Sequence, residues 1–194
     1  MLGKAAVAIW CDVAPQVRAE FDDWHAHEHM PERLSIPGFL RGSRWLGDGY
    51  FMLYELESES TLTSAAYLER LNQPTPWSRK MMPHHRNMVR GLCRVDASHG
   101  RALGQALLTL RLSAEPDAAA LAALPSCKGL VSAHLLRNVA QVDTLEQKLR
   151  GGDAAPDWVV LATGYDADAV SAVAAQLNAP GGIAGRYTLA YLLS

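Results

Sequence analysis

The chain is poor in the features that would tie it to a membrane, a nucleic acid or an oxidising compartment. No apolar run reaches the roughly 18 residues that a bilayer-spanning helix needs, and the first residues lack the charged, apolar, small-residue order of a secretory signal. A cytoplasmic location is therefore expected. Eighteen Lys and Arg stand against 20 Asp and Glu, a formal charge of −2. The arginines are scattered, so the concentrated basic face that nucleic acid or an anionic membrane would require is missing. Cys11, Cys93 and Cys127 are odd in number, far apart and set among apolar neighbours; they read as reduced core residues rather than a disulfide or thiolate-metal framework. There is no P-loop, dinucleotide glycine fingerprint, CxxC pair or nucleophile elbow. Phosphate, nicotinamide and serine-hydrolase chemistry thus lose their usual signals, and no cofactor is expected.

What is present is 194 residues, 49% of them hydrophobic, enough for one large domain or two small ones. Residues 5–13 (AAVAIWCDV) are apolar and partly β-branched, the pattern of a buried strand, ended by Pro15. Val17, Phe21 and Trp24 then recur at helical spacing. The ring of Pro31 disfavours helical geometry at Met30, so this first helix is expected to stop or kink near His29, with a short restart over 31–35. Pro37-Gly38 is a turn, and residues 39–46 and 50–56 flank Gly47-Asp48-Gly49 as an antiparallel hairpin. Residues 58–71 read as a second amphipathic helix, residues 75–87 as a proline-broken polar loop, and residues 89–95 as a closing strand.

The second half repeats this order: strand 106–112, helix 116–124, strands 129–136 and 158–163, helix 167–177 and strand 187–193. Leu71-Asn72-Gln73-Pro74 corresponds to Leu177-Asn178-Ala179-Pro180, and Gly38 to Gly129. The span from Phe51 to Asn72 nearly equals that from Trp158 to Asn178, so duplication is the economical explanation. The expected division is 1–99 and 100–194, with an inserted polar segment over 138–156 in the second half. Each βαββαβ unit makes a four-stranded antiparallel sheet with both helices on one face. The fold class is therefore α+β: a tandem duplication of a ferredoxin-like unit, its two sheets packed as an α/β barrel. The halves pair within one chain or across a homodimer, the former being favoured.

The stretch from Phe21 to Arg33 puts three imidazoles and four carboxylates into thirteen residues, a poor composition for a core. His25 and His29, four apart, share a helical face, with Glu28 beside His29 and below Trp24. A histidine at a helix C-terminus meets the negative end of the macrodipole, and Glu28 or Glu32 would add to it. His29 is thus expected to hold its proton more tightly than a free imidazole while still exchanging it near neutral pH, as a general acid/base must. The competing reading is a solvated helix end with Trp24 as the one core contact; His27, which points away, fits that reading. His25-Ala26-His27-Glu28-His29 also matches a zinc-peptidase pattern, but a third ligand would have to come from His84 or His85, and no metal is expected. Arg41 and Arg44 lie on opposite faces of one strand, so at most one enters a ligand cavity. Tyr54 lies on the partner strand. Trp77 and His84 either form a lid or pack helix against sheet.

Taken together, Phe21-Asp22-Asp23-Trp24-His25, Glu28-His29-Met30-Pro31-Glu32-Arg33-Leu34, Ile36-Pro37-Gly38-Phe39 and Pro74-Thr75-Pro76-Trp77 resemble the EthD-like proteins of the dimeric α/β-barrel superfamily. The resemblance covers the first half closely; the second half is similar in fold without the motif. It implies a small-ligand site between sheet and helices, with His29 matching the family histidine and Trp24 and Glu28 beside it. Relatives include cofactor-free isomerases, cyclases, dehydratases, monooxygenases and haem-binding enzymes. The leading expectation is an enzyme that moves a proton next to a carbonyl on a small organic molecule. His29 is the acid/base, Glu28 or His25 its orienter, Trp24, Tyr54 and Trp77 the pocket walls, and Arg41 and His84 further binding candidates. The alternatives are a non-catalytic binding or assembly protein, which would leave the cluster in water, and a haem-binding or monooxygenase-type member of the superfamily.

Overall fold

A computed structural model describes residues 1–140, 145, 149 and 154–194; part of the insertion expected over 138–156 lies outside the described residues. Eight strands form one closed antiparallel barrel in the order β1-β3-β2-β8-β5-β7-β6-β4. They are β1 (Ala5–Val13), β2 (Phe39–Gly47), β3 (Gly49–Leu56), β4 (His85–His99), β5 (Ala106–Leu112), β6 (Leu130–Ala140), β7 (Trp158–Gly164) and β8 (Ile183–Leu193). Each half reads in the same sense, β4-β1-β3-β2 and β8-β5-β7-β6, and the halves join at the β2–β8 and β4–β6 ladders. The barrel therefore closes within one chain.

Strand β1 shows why its sequence is nearly continuous in apolar residues. Ala5, Val7, Cys11 and Val13 face the helices, while Ala6, Ala8 and Trp10 face the barrel interior. A strand buried on both faces has no polar alternation to display. The interior is filled by Trp10, Trp45, Phe51, Leu136, Leu161 and Tyr187. Across it Trp10 Nε1 donates to Thr109 Oγ1 at 3.0 Å, tying the two halves together. Separate clusters pack the helices of each half against the outside of the barrel.

The correspondence of Gly38 and Gly129 extends to backbone detail. Their φ angles are +92° and +90°, in the region that favours glycine. Each carbonyl accepts the N–H just beyond the third strand of its half: Glu57 to Gly38 at 2.8 Å and Tyr165 to Gly129 at 3.0 Å.

Strand lengths depart from the sequence expectation where strands bridge two neighbours. β4 extends well beyond residues 89–95, because its first part pairs with β1 (Val13↔His85) and its last with β6 (His99↔Ala133). β8 starts at Ile183 rather than 187, because it pairs with β5 through Ile183 and with β2 through Leu193. The expected polar loop over 75–87 is also ordered. Thr75 caps a short helix, Pro76–Met81, by accepting from the Ser78 N–H, and a 3-10 turn, Met82–His84, leads into β4.

Candidate functional site

The histidine stretch forms one continuous but irregular helix: α1 (Arg18–Trp24), a π turn (His25–His29) and α2 (Met30–Leu34). The Met30 N–H reaches five residues back to the His25 carbonyl. Pro31 has no N–H to give and its ring crowds the preceding turn; the wider π turn accommodates it, and Pro31 falls in the first turn of α2. Of the stop or kink expected near His29, the structure shows the second: the regular helix is interrupted there and restarts as Met30–Leu34. His29 thus lies inside a continuing helix, and the macrodipole argument for its proton affinity has no basis. A π turn also carries more residues than an α turn, which brings positions four apart closer to one line. His25, His29 and Arg33 accordingly all line one cavity beneath the helix.

That cavity lies between the helix, the outer faces of β1, β3 and β4, and α3 (Ala65–Asn72). Its polar lining is His25, His29, Arg33, Tyr54, Tyr67, His85 and Arg90, and its apolar lining includes Ile9, Phe39, Met52, Leu71, Met82 and Met88. About 30 Å³ is open to the centres of water-sized molecules, room for one or two waters. No Asp or Glu is among these described lining residues.

His25 is 1% exposed and His29 7%. Tyr54 Oη lies 3.1 Å from His25 Nε2, and the His25 and His29 ring centroids are 5.7 Å apart. Burial first, and then the positive charges of Arg44, His85 and Arg33, holds His25 well below the usual imidazole range, so its ring is neutral. His25 Nδ1 is buried with no hydrogen-bond partner among the described residues. At another corner Arg90 Nη2 donates to Tyr67 Oη at 2.6 Å. Such a site can take a proton on a buried neutral imidazole and stabilise the anion left behind with guanidinium groups.

Of the residues singled out from sequence, His25, His29 and Tyr54 line the cavity, whereas Trp24, Glu28, Arg41, Trp77 and His84 are not in its lining. Trp24 backs it, its ring 4.5 Å from that of His29. Glu28 Oε1 accepts from Trp24 Nε1 at 3.2 Å, Thr75 Oγ1 at 2.5 Å and Ser78 Oγ at 3.4 Å. It thereby ties the π turn to the segment that carries Met82 and His85. Arg41 pairs with Glu55, which is buried at an end of the barrel, and Arg44 binds the Asp22 carbonyl at 2.9 Å. Trp77 Nε1 donates to Glu20 at 3.2 Å. His27 is exposed. The zinc-peptidase pattern does not converge: His25 Nε2 faces Tyr54 and Glu28 turns to Thr75. Among the described residues no group of three or more His, Cys, Asp or Glu is arranged to hold a metal ion.

Sequence reasoning did not place Arg33, Tyr67 and Arg90 in the site and weighed His85 only as a metal ligand. Arg33 continues the four-residue step from His29, and Arg90 interrupts the apolar row Met88, Leu92 on β4. Both signals were present in the sequence.

The fold and this cavity define an eight-stranded ferredoxin-like α/β barrel with a His/Arg-lined cavity on one half. No family model and no curated protein matches the chain. Its backbone is similar to that of an anthrone oxidase-like protein (TM-score 0.64, 9% identity, covering 98% of this chain and 92% of that one). A candidate monooxygenase from Fusobacterium nucleatum is also similar (TM-score 0.62, 8% identity, 99% and 95% covered). So is one from Lactobacillus acidophilus (TM-score 0.57, 10% identity, 99% and 96% covered). At such identities the likeness is one of fold. Among the described residues no helix is long and apolar enough to cross a membrane.

Proposed function

We propose that the protein is a monooxygenase- or oxidase-type enzyme that removes a proton from a small phenolic or enolisable compound and lets the resulting carbanion react with dioxygen. The observation that carries this reading is the convergence of His25, His29 and His85 with Tyr54, Arg33 and Arg90 around one enclosed cavity without an acid in its described lining. His25, kept neutral and hydrogen-bonded to Tyr54, accepts the proton with His29 beside it, and the Arg33 guanidinium holds the developing oxyanion. Oxidation of a methylene to a carbonyl by dioxygen yields water as the second product, and four electrons leave the substrate for the four that oxygen takes. The descriptions of the fold neighbours support the oxygen-consuming outcome. The motif likeness to EthD-like proteins supports the same first step followed by reprotonation, as in an isomerase, cyclase or dehydratase.

Glu28 acts in this scheme as a positioning residue. Arg41, Trp77 and His84 are outside the lining, and Trp24 supports the wall from behind. Burial of the imidazoles speaks against a purely assembling role, which would leave them in water. The cavity as it stands does not fit a haem, since sites for groups of that size occupy several hundred Å³ (about 300 or more). Entry of a ring-sized substrate requires Met52, Met82 and Met88 to move, which their unbranched side chains allow.

The test is oxygen uptake with an anthrone or a comparable phenolic ketone. Native protein is expected to consume one dioxygen per product, and His25→Asn, folded by circular dichroism, to lose the activity. Turnover of the same compounds without oxygen uptake would move the reading to the isomerase class. A fully active His25→Asn protein would remove His25 from the mechanism.

A further inference from the structure

Arg90 is 7% exposed and stands in an otherwise apolar row, between Met88 and Leu92 on β4 and opposite Ile9 on β1. Its side-chain hydrogen-bond partner among the described residues is a neutral phenol, Tyr67 Oη, at 2.6 Å. Tyr67 is itself 2% exposed and held by α3, where its N–H donates to the capping hydroxyl of Ser64 at 3.3 Å. A guanidinium carries five N–H donors and a full charge. One phenol oxygen offsets little of the cost of taking that charge out of water, and a buried cation is ordinarily matched by an anion. No carboxylate occurs among the described residues of the lining.

The position of Arg90 also separates it from the proton-transfer end. Arg90 on β4 stands opposite Ile9 and Tyr54 on β3 stands opposite Val7, so the whole width of β1 lies between Arg90 and the tyrosine that holds His25. The cavity thus has an imidazole end at His25 and Tyr54 and a cationic end at Arg90 and Tyr67, with the apolar side chains of Phe39, Leu71 and Met88 lining it.

We infer that the ligand of this cavity is a small monocarboxylate with an apolar ring, its carboxylate held by Arg90 and Tyr67 while the ring presents its acidic position to His25. The inference deepens the proposed function and rests on it for the reaction, but not for the binding. The planar fork of arginine matches a carboxylate with two parallel hydrogen bonds, and the Tyr67 hydroxyl stays within the same group. An anion anchored there orients the ring without occupying the imidazole end, so substrate recognition and proton removal fall to different residues.

The experiment is calorimetric titration of the intact protein at neutral pH with benzoate and with the uncharged isostere benzamide. Benzoate is expected to bind about tenfold or more tightly than benzamide, the difference a charge-assisted bidentate contact makes. Arg90→Gln is expected to abolish the preference. Tyr67→Phe, which keeps the charge, is expected to weaken benzoate by roughly three- to tenfold and serves as the second variant should Arg90→Gln not fold. Equal binding of the two compounds, no binding of benzoate, or an unchanged preference in Arg90→Gln would overturn the inference. His25→Asn is expected to keep the preference for benzoate. A failure of the oxygen-consuming mechanism appears separately, as absent oxygen uptake in protein that still prefers the carboxylate.

Discussion

Tyr54 Oη lies 3.1 Å from His25 Nε2, joining the third strand of the barrel to the π turn that crosses over it. Both groups are buried and both line the cavity. The pair gives the imidazole a fixed orientation and gives the phenol a place in any proton path that starts at His25. Tyr54→Phe is expected to leave the fold intact and to lower kcat by about tenfold to a hundredfold, with KM little changed, since positioned acid–base groups contribute on the order of 10² to 10⁴. Steady-state oxygen uptake over a range of substrate concentrations measures it, and an unchanged kcat would dissociate the tyrosine from the chemistry.

Glu28 joins Trp24, Thr75 and Ser78 through one carboxylate oxygen. Glu28→Ala removes an acceptor that three donors share; Trp24 Nε1 keeps Ser78 Oγ at 3.2 Å, while Thr75 and Ser78 lose this acceptor, and Trp24 and Ser78 are fully buried. The expected cost is about 1–3 kcal/mol, read as a lower midpoint in urea at an unchanged slope. Turnover should fall as well, because the segment released carries His85 into the site. A variant as stable as the parent would show that the latch is not needed.

Acid should destabilise the protein earlier than its composition suggests. His25 is held well below 6.5, chiefly by burial, and His134 is brought down to about 3 by burial, with the N-terminal amine and Arg41 adding to it. The unfolded chain binds these protons near 6.5 and the folded chain does not, so stability is complete above that pH and is lost as pH falls toward the folded values. Each histidine contributes a slope of up to about 1.4 kcal/mol per pH unit. Urea midpoints measured from pH 7 to pH 4 should fall steadily, and His134→Gln should flatten the curve. A flat profile for the parent would contradict the neutral buried state.

Gly129 combines a φ of +90° with crowding: an added Cβ would stand 2.6 Å from the Ala169 Cβ. Gly129→Ala therefore meets both backbone strain and a clash, for an expected loss of about 1–3 kcal/mol. Thermal unfolding tests this directly, and a neutral substitution would mean that the turn relaxes more readily than its geometry implies. Gly38, its counterpart at +92°, should behave alike, a Cβ there meeting the Thr61 hydroxyl at 2.5 Å.

Sequence by itself determined the order of strands and helices, its repetition in the two halves and hence the ferredoxin-like α/β barrel class. It also pointed to His25, His29 and Tyr54, because hydrophobic periodicity and turn chemistry are local and survive reading one residue after another. The tertiary structure decided what depends on distant partners. The lengths of β4 and β8 follow from each having two ladder neighbours, and the route through Pro31 follows from a π turn that keeps the helix packed on the barrel. Glu28 sits beside His29 in the chain, yet its carboxylate answers to Thr75 and Ser78. Arg90 and His85, both on β4, join the histidines only when β4 pairs with β1. The site is thus half legible along the helix, where spacing sets the facing side chains, and hidden where closure of the barrel brings separate strands together.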